Sequence, residues 1–224
     1  MTGGIQRQPE PEVMNDPTEA RAYAAADFTQ VNQVFVERLL ELVGPRPAAT
    51  ALDLGTGPAD IPLRVVAVRP RWRVVAVDAS RPMLEWAHQA VQKAGRLAAV
   101  GLVMADAKDL PFAPRSFDVI FSNSILHHIT ATERLWREIE RLGRPGATVL
   151  IRDLARPANP QAARSIVHRY AGGESPLLQE EYYRSLLSAY TPREVRAQLD
   201  AAGFRTLQVA MVSDRHLDVF GHLE

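Results

Sequence analysis

Apolar residues fall in short, nearly unbroken runs separated by stretches of helical period, and this alternation sets the expected architecture. Thr50–Leu54, Trp72–Val77, Ala98–Met104, Phe117–Phe121 and Ala147–Ile151 have the length and continuity of strands buried on both faces. Helical patterns lie between them: about Asp60 to Val68, Ser80 to near Gly95, and Thr130 to Leu142. The second carries Met83, Leu84, Ala87 and Val91 on one side, with Ser80 as its expected cap. Upstream, Phe28, Val31, Phe35, Leu39 and Leu42 recur at three- and four-residue steps, predicting a helical stretch from Thr18 that Gly44-Pro45 ends.

After Arg156 the pattern turns to helices, about Pro160–Tyr170 and Gln179–Ala189. Thr191-Pro192-Arg193-Glu194 is a capping box with proline at the first helical position, and that helix should end at Gly203. Thr206–Val212 and His216–Phe220 read as a closing antiparallel pair. Strands alternating with helices imply an α/β domain over residues 18–224: a doubly wound, mostly parallel seven-stranded sheet with a C-terminal antiparallel strand and helices on both faces. Residues 1–17, rich in Gln, Pro, Glu and Asp and without period, are expected to be a disordered arm.

Composition narrows the function. The 224 residues suit one domain, and Lys+Arg and Asp+Glu balance at 26 each, so no basic field exists to hold a phosphate backbone. Nucleic acid is not an expected partner. Without cysteine there is no disulfide, thiolate nucleophile or Cys-bound zinc. No apolar run reaches the roughly 18 residues of a membrane-spanning helix, and the N-terminus lacks the apolar centre of a secretion signal. A soluble cytoplasmic protein with no membrane partner is expected, its oligomeric state left open.

The chemistry concentrates at Ala51-Leu52-Asp53-Leu54-Gly55-Thr56-Gly57-Pro58-Ala59-Asp60, where a buried strand turns sharply into a helix. Gly55 and Gly57 let a ligand approach the main chain, and the free N–H groups of the following helix face the same spot. A dinucleotide site expects G-x-G-x-x-G, and here Asp60 stands at the third glycine. Ligands of such sheets bind beyond the carboxyl ends of the strands. Asp53, Asp78, Asp106, Asn123 and Asp153 fall at those ends. Buried carboxylates there are costly unless a ligand or backbone N–H satisfies them.

The set resembles the motifs of class I S-adenosylmethionine-dependent methyltransferases, in order, from Ala51 to Asp153. Asp53, Gly55 and Gly57 match the first motif, with Ala59 in place of its usual third glycine. Val74–Leu84 is similar to the second, Met104–Phe112 to the third and Ser116–Asn123 to the fourth. The resemblance implies a Rossmann-like fold and S-adenosylmethionine as cofactor. It implies that Asp78, with Ala79 beside it, accepts the ribose hydroxyls and that Met83 packs near the adenine. Asp106 would take the adenine amine, the Ala107 N–H a ring nitrogen, and the backbone around Asn123 would lie at the methionine end. Tyr23 would belong to a segment folding over the cofactor, and residues 156–190 to a lid that chooses a small-molecule methyl acceptor.

Arg152 and Asp153, paired or lining the acceptor pocket, and Tyr182 and Tyr183 are the candidate acceptor residues. His127 is the candidate general base. The His127-His128 pair is not expected to hold a metal, because adjacent side chains diverge and no third ligand is evident. Asp118 is expected to be structural. The expected reaction is in-line methyl transfer. The alternatives are a non-catalytic S-adenosylmethionine-binding module and an NAD-dependent oxidoreductase, the latter disfavoured by Asp60 and by the lack of a Tyr-x-x-x-Lys.

Overall fold

The computed structural model describes residues 5–224. Five apolar runs form parallel strands: β1 (Thr50–Leu54), β2 (Arg73–Asp78), β3 (Val100–Met104), β4 (Phe117–Asn123) and β5 (Gly143–Leu154). Two more, β6 (Gln208–Met211) and β7 (His216–His222), complete a sheet of order β3-β2-β1-β4-β5-β7-β6. Among the described residues β7 alone runs opposite to the other six strands, pairing antiparallel with both β5 and β6. Strand order reverses between β1 and β4, which opens the crevice expected of a doubly wound sheet.

Successive strand residues point to opposite faces, and each face is covered. Ala51, Val119 and Leu150 meet α2 (Thr29–Val43), α3 (Asp60–Val68) and α4 (Arg81–Lys93) on one side. Leu52, Ile120 and Ile151 meet α5 (Thr132–Leu142) and α8 (Pro192–Ala201) on the other. Trp72 and Trp136, each fully buried, anchor the two halves of the core. The Thr191–Glu194 capping box closes at both of its hydrogen bonds.

The long helix expected from Thr18 is broken into α1 (Pro17–Ala25) and α2, with Phe28 between them. Phe28 stacks on Tyr23, their ring centroids 4.8 Å apart, and the bend points both rings at the sheet's carboxyl edge. β5 extends past the predicted Ala147–Ile151 at both ends: Gly143 pairs with Phe117 on β4, and pairing with β7 holds the polar Arg152 and Asp153 in the ladder. α6 (Pro160–Ala171) and α7 (Pro176–Ser188) pack on each other around Ala163, Val167, Leu186 and Leu187.

Residues 5–16 of the expected arm are among the described residues. This stretch has no helical or strand period, yet it lies across the carboxyl edge, fixed by side-chain and main-chain bonds. The Arg7 guanidinium donates to the carbonyls of Ser188, His127 and Ile129. Glu12 accepts from Thr130 and Lys108, and the Met14 carbonyl accepts from the Ser80 hydroxyl. Residues 1–4 of the expected arm lie outside the described residues. Among the described residues no helix is long and apolar enough to cross a membrane.

Candidate active site

A cavity of about 350 Å³ runs along the carboxyl edge, roofed by the N-terminal segment and α1 and flanked by α6 and α7. Its floor at one end is the β1–α3 turn. Gly55 and Gly57 there have φ of 71° and 52°, and the N–H groups of Gly55 and Thr56 donate to the Val77 carbonyl. Ala59 also adopts a left-handed conformation, φ 65°, and its side chain offers α3 no cap. The turn thus leaves helix N–H groups without a side-chain partner beside the cavity.

Asp78 braces this turn. One carboxylate oxygen accepts from the Gly57 N–H at 2.8 Å and the other from the Ser80 N–H at 2.8 Å. Burial raises its pKa, opposed by those bonds. Tyr23 packs over Gly57: a Cβ added there would meet the tyrosine ring at 3.8 Å. Burial, then the charge of Asp78, pushes the Tyr23 phenol up to about 12. At the far rim Lys108 bridges Asp106 and Glu12, at 3.0 and 2.8 Å, tying the roof to the loop after β3.

Of the expected cofactor residues, Gly55, Gly57, Asp78, Ala79, Met83, Asp106, Ala107, Asn123 and Tyr23 all line this cavity. Asp53 lies behind the turn, 2% exposed, and its Oδ2 has no hydrogen-bond partner. Burial pushes its carboxyl up to about 7. Asn123 reaches the Asn32 side chain, which in turn donates to Asp60, so the floor is continuous with α2 and α3.

The other end of the cavity is built around a one-turn 3₁₀ helix, Leu126–His128. His127, 3% exposed, sets Nδ1 2.6 Å from Asp153 Oδ1. The other Asp153 oxygen accepts from the Leu126 and His127 N–H groups. Burial alone would lower the His127 pKa, but the Asp153 and Glu10 carboxylates hold it above its ordinary value. His128, whose ring centroid is 4.1 Å from that of His127, is pushed down to about 3 by burial and by its neighbour's charge. The expectation that the two rings diverge therefore does not hold.

The acceptor residues divide. Tyr182 lines the cavity, whereas Tyr183, about 100° further round α7, packs under Arg164 and toward α6. Arg152 does not line the cavity, nor does it pair with Asp153, since neighbours on a strand face opposite sides. It makes a two-pronged bond to Asp218, its cross-strand partner on β7, at 2.7 and 2.8 Å. Asp153 supports His127 from behind the wall. Asp118 sits at the opposite end of β4 and pairs with Arg46 and Arg144, as a structural residue should.

Sequence reasoning missed Glu10, Glu12 and Lys108. Glu10 and Glu12 sit in a segment whose lack of period reads as disorder, and Lys108 beside Asp106 reads as ordinary surface charge. Only the fold brings them to the cavity.

A doubly wound sheet with a glycine turn at its switch point, acidic strand ends and a roofed cavity defines a nucleoside-cofactor enzyme of the Rossmann-like class. Residues 52–151 match the family described as Methyltransferase domain. The chain is 30% identical over 170 residues to the ubiquinone/menaquinone biosynthesis C-methyltransferase of Ectopseudomonas mendocina, covering 72% of this chain and 66% of that one. It is 37% identical over 119 residues to the demethylmenaquinone methyltransferase of Roseiflexus sp., covering 53% of this chain and 48% of that one. The chain thus spans between about half and two thirds of the length of these relatives. An S-adenosylmethionine-dependent methyltransferase from Aquifex aeolicus superimposes with a TM-score of 0.72 at 21% identity, over 94% of this chain and 100% of that one. The chain belongs to the class I S-adenosylmethionine-dependent methyltransferases.

Proposed function

We propose that the protein transfers a methyl group from S-adenosylmethionine to a small-molecule acceptor. The observation that carries this is one elongated cavity with two chemically different ends: a glycine turn with Asp78 and Asp106, and a corner formed by His127, Glu10 and Tyr182. The first end suits the cofactor. The unpartnered Asp53 Oδ2 and the uncapped start of α3 are groups a cationic amino acid and its carboxylate would satisfy. Asp78 and Asp106 would accept from ribose and adenine. Bound S-adenosylmethionine supplies an electrophilic methyl group on sulfur, whose departure leaves a neutral thioether.

What remains for the chain is positioning and exclusion of water. Tyr23, Phe28 and residues 10–14 close the cavity from above. Tyr182 and the 3₁₀ turn would hold the acceptor, and any proton it must shed leaves at the His127 corner. The names of the relatives make a hydroquinone-type ring the first acceptor class to try.

The test is calorimetric titration of S-adenosylmethionine and NAD in turn, with Asp78→Ala as the control. Binding of the first alone, weakened by at least about tenfold in the variant (1.4 kcal/mol), is expected. Binding of NAD without S-adenosylmethionine overturns the reading, and label transfer from methyl-labelled cofactor to a hydroquinone panel separates an enzyme from a silent binding module.

A further inference from the structure

The N-terminal segment carries the Glu10 carboxylate onto the two imidazoles of the 3₁₀ turn. Glu10 Oε1 lies 3.3 Å from His127 Nε2 and 3.3 Å from His128 Nδ1. Both separations exceed the roughly 2.7–2.9 Å of a charge-assisted hydrogen bond. Both match the edge of a coordination tetrahedron: bonds of about 2.1 Å to a shared centre set neighbouring ligand atoms about 3.4 Å apart. All three atoms lie within 4.8 Å of one another.

We propose that Glu10, His127 and His128 form a binding site for a divalent metal of the zinc type, whose open position takes an oxygen atom of the acceptor. The orientation of the His127 ring supports this. Nδ1 sits 2.6 Å from Asp153 Oδ1, which leaves Nε2 as the nitrogen turned to Glu10 and able to exchange its proton for a metal. A carboxylate behind an imidazole is the arrangement that orients metal-binding histidines. The charge also balances: Glu10 and Asp153 supply two negative charges, and among the described residues neither forms an ion pair with Lys or Arg.

Two nitrogens and one carboxylate favour zinc-like borderline metals over magnesium or calcium, which prefer all-oxygen shells. Three protein ligands with a fourth position left open is the count of a catalytic rather than a structural zinc site. All three side chains line the cavity beside Asn123 and Ile125, so the open position faces the acceptor space. A hydroxyl bound there would become more acidic, as metal-bound water does. That makes a phenol or hydroquinone oxygen a fitting ligand. This acceptor role rests on the methyl-transfer reading, but the metal site does not. Binding requires His128 Nδ1 to give up the Pro11 carbonyl, which lies 3.2 Å away.

The experiment titrates metal-free, full-length protein with Zn²⁺ by calorimetry and with Co²⁺ by visible absorption. One equivalent of Zn²⁺ should bind, and Co²⁺ should develop the strong bands of a four-coordinate site. Glu10→Gln and His128→Gln should each weaken Zn²⁺ by at least about 100-fold (2.7 kcal/mol), whereas His168→Gln, an exposed histidine on α6, should not. Lack of stoichiometric uptake, uptake unchanged in both variants, or a Co²⁺ spectrum like that of the aqueous ion overturns the proposal. The spectrum needs no variant, so a variant that fails to fold leaves the test intact. Zn²⁺ uptake without S-adenosylmethionine binding would sink only the methyl-transfer reading, and the reverse only the metal site.

Discussion

Asp53 carries a carboxyl that the fold buries almost completely, with Oδ2 unpartnered. Its pKa, about 7 in the fold against an ordinary 3.8, means that the folded chain holds a proton the unfolded chain releases. This contribution to stability is complete below about pH 4 and is lost as pH rises to 7, a difference of at most about 4 kcal/mol. Asp53→Asn should therefore flatten part of that decline and make the cofactor-free protein more stable at pH 8, read as denaturant midpoints at pH 5 and pH 8. The same variant should weaken S-adenosylmethionine at least about tenfold. Ala59 is the converse case. A methyl group at φ 65° is strained, and relief of that strain by Ala59→Gly should stabilise the protein by about 1 kcal/mol, seen as a higher melting temperature.

At the scale of elements, the extended segment before α1 behaves as a built part of the site rather than a tail. Its anchors are spread along its length: Arg7 on the carbonyls of Ser188, His127 and Ile129, Glu12 on Lys108 and Thr130, Met14 on Ser80. Lys108, then the Thr130 N–H, holds the Glu12 carboxyl down at about 2, so this anchor persists well below neutral pH. Removing residues 1–16 should weaken cofactor binding by about tenfold while leaving the core clusters, and hence cooperative unfolding, in place. The helix pair α6–α7 acts at the other end. Tyr182→Ala should raise the acceptor KM with little change in cofactor affinity, whereas Tyr183→Ala, which faces Arg164, should change neither.

For the whole molecule, the buried Arg152–Asp218 pair locks β7 to β5 and so fixes the strand that runs against the rest of the sheet. Removing one partner strands a charge in the interior. Arg152→Ala should cost about 3–5 kcal/mol, and a paired Arg152→Met, Asp218→Leu replacement should cost much less. Binding couples to this stability through mass action. S-adenosylmethionine at 100 times its dissociation constant should add about 2.7 kcal/mol, a shift that Asp78→Ala should cut to about 1.4 kcal/mol or less at the same concentration.

The sequence by itself determined the sheet, its helical layers and the residues that line the glycine-turn end of the cavity. Those features are local: a buried strand must be continuously apolar, a tight turn needs Gly55 and Gly57, and an acidic residue at a strand's end needs no distant partner to declare itself. The tertiary structure alone decided the end built around His127 and His128. Arg152 turned away from the cavity because its strand neighbour across β7 is Asp218, and Asp153 turned toward His127 because adjacent strand residues face opposite ways. Glu10 reached the two histidines from 117 positions away along the chain, carried by a stretch with no periodicity to announce it. Period records which face of an element is buried, whereas such a meeting depends on where a non-repeating segment is laid, and only packing fixes that.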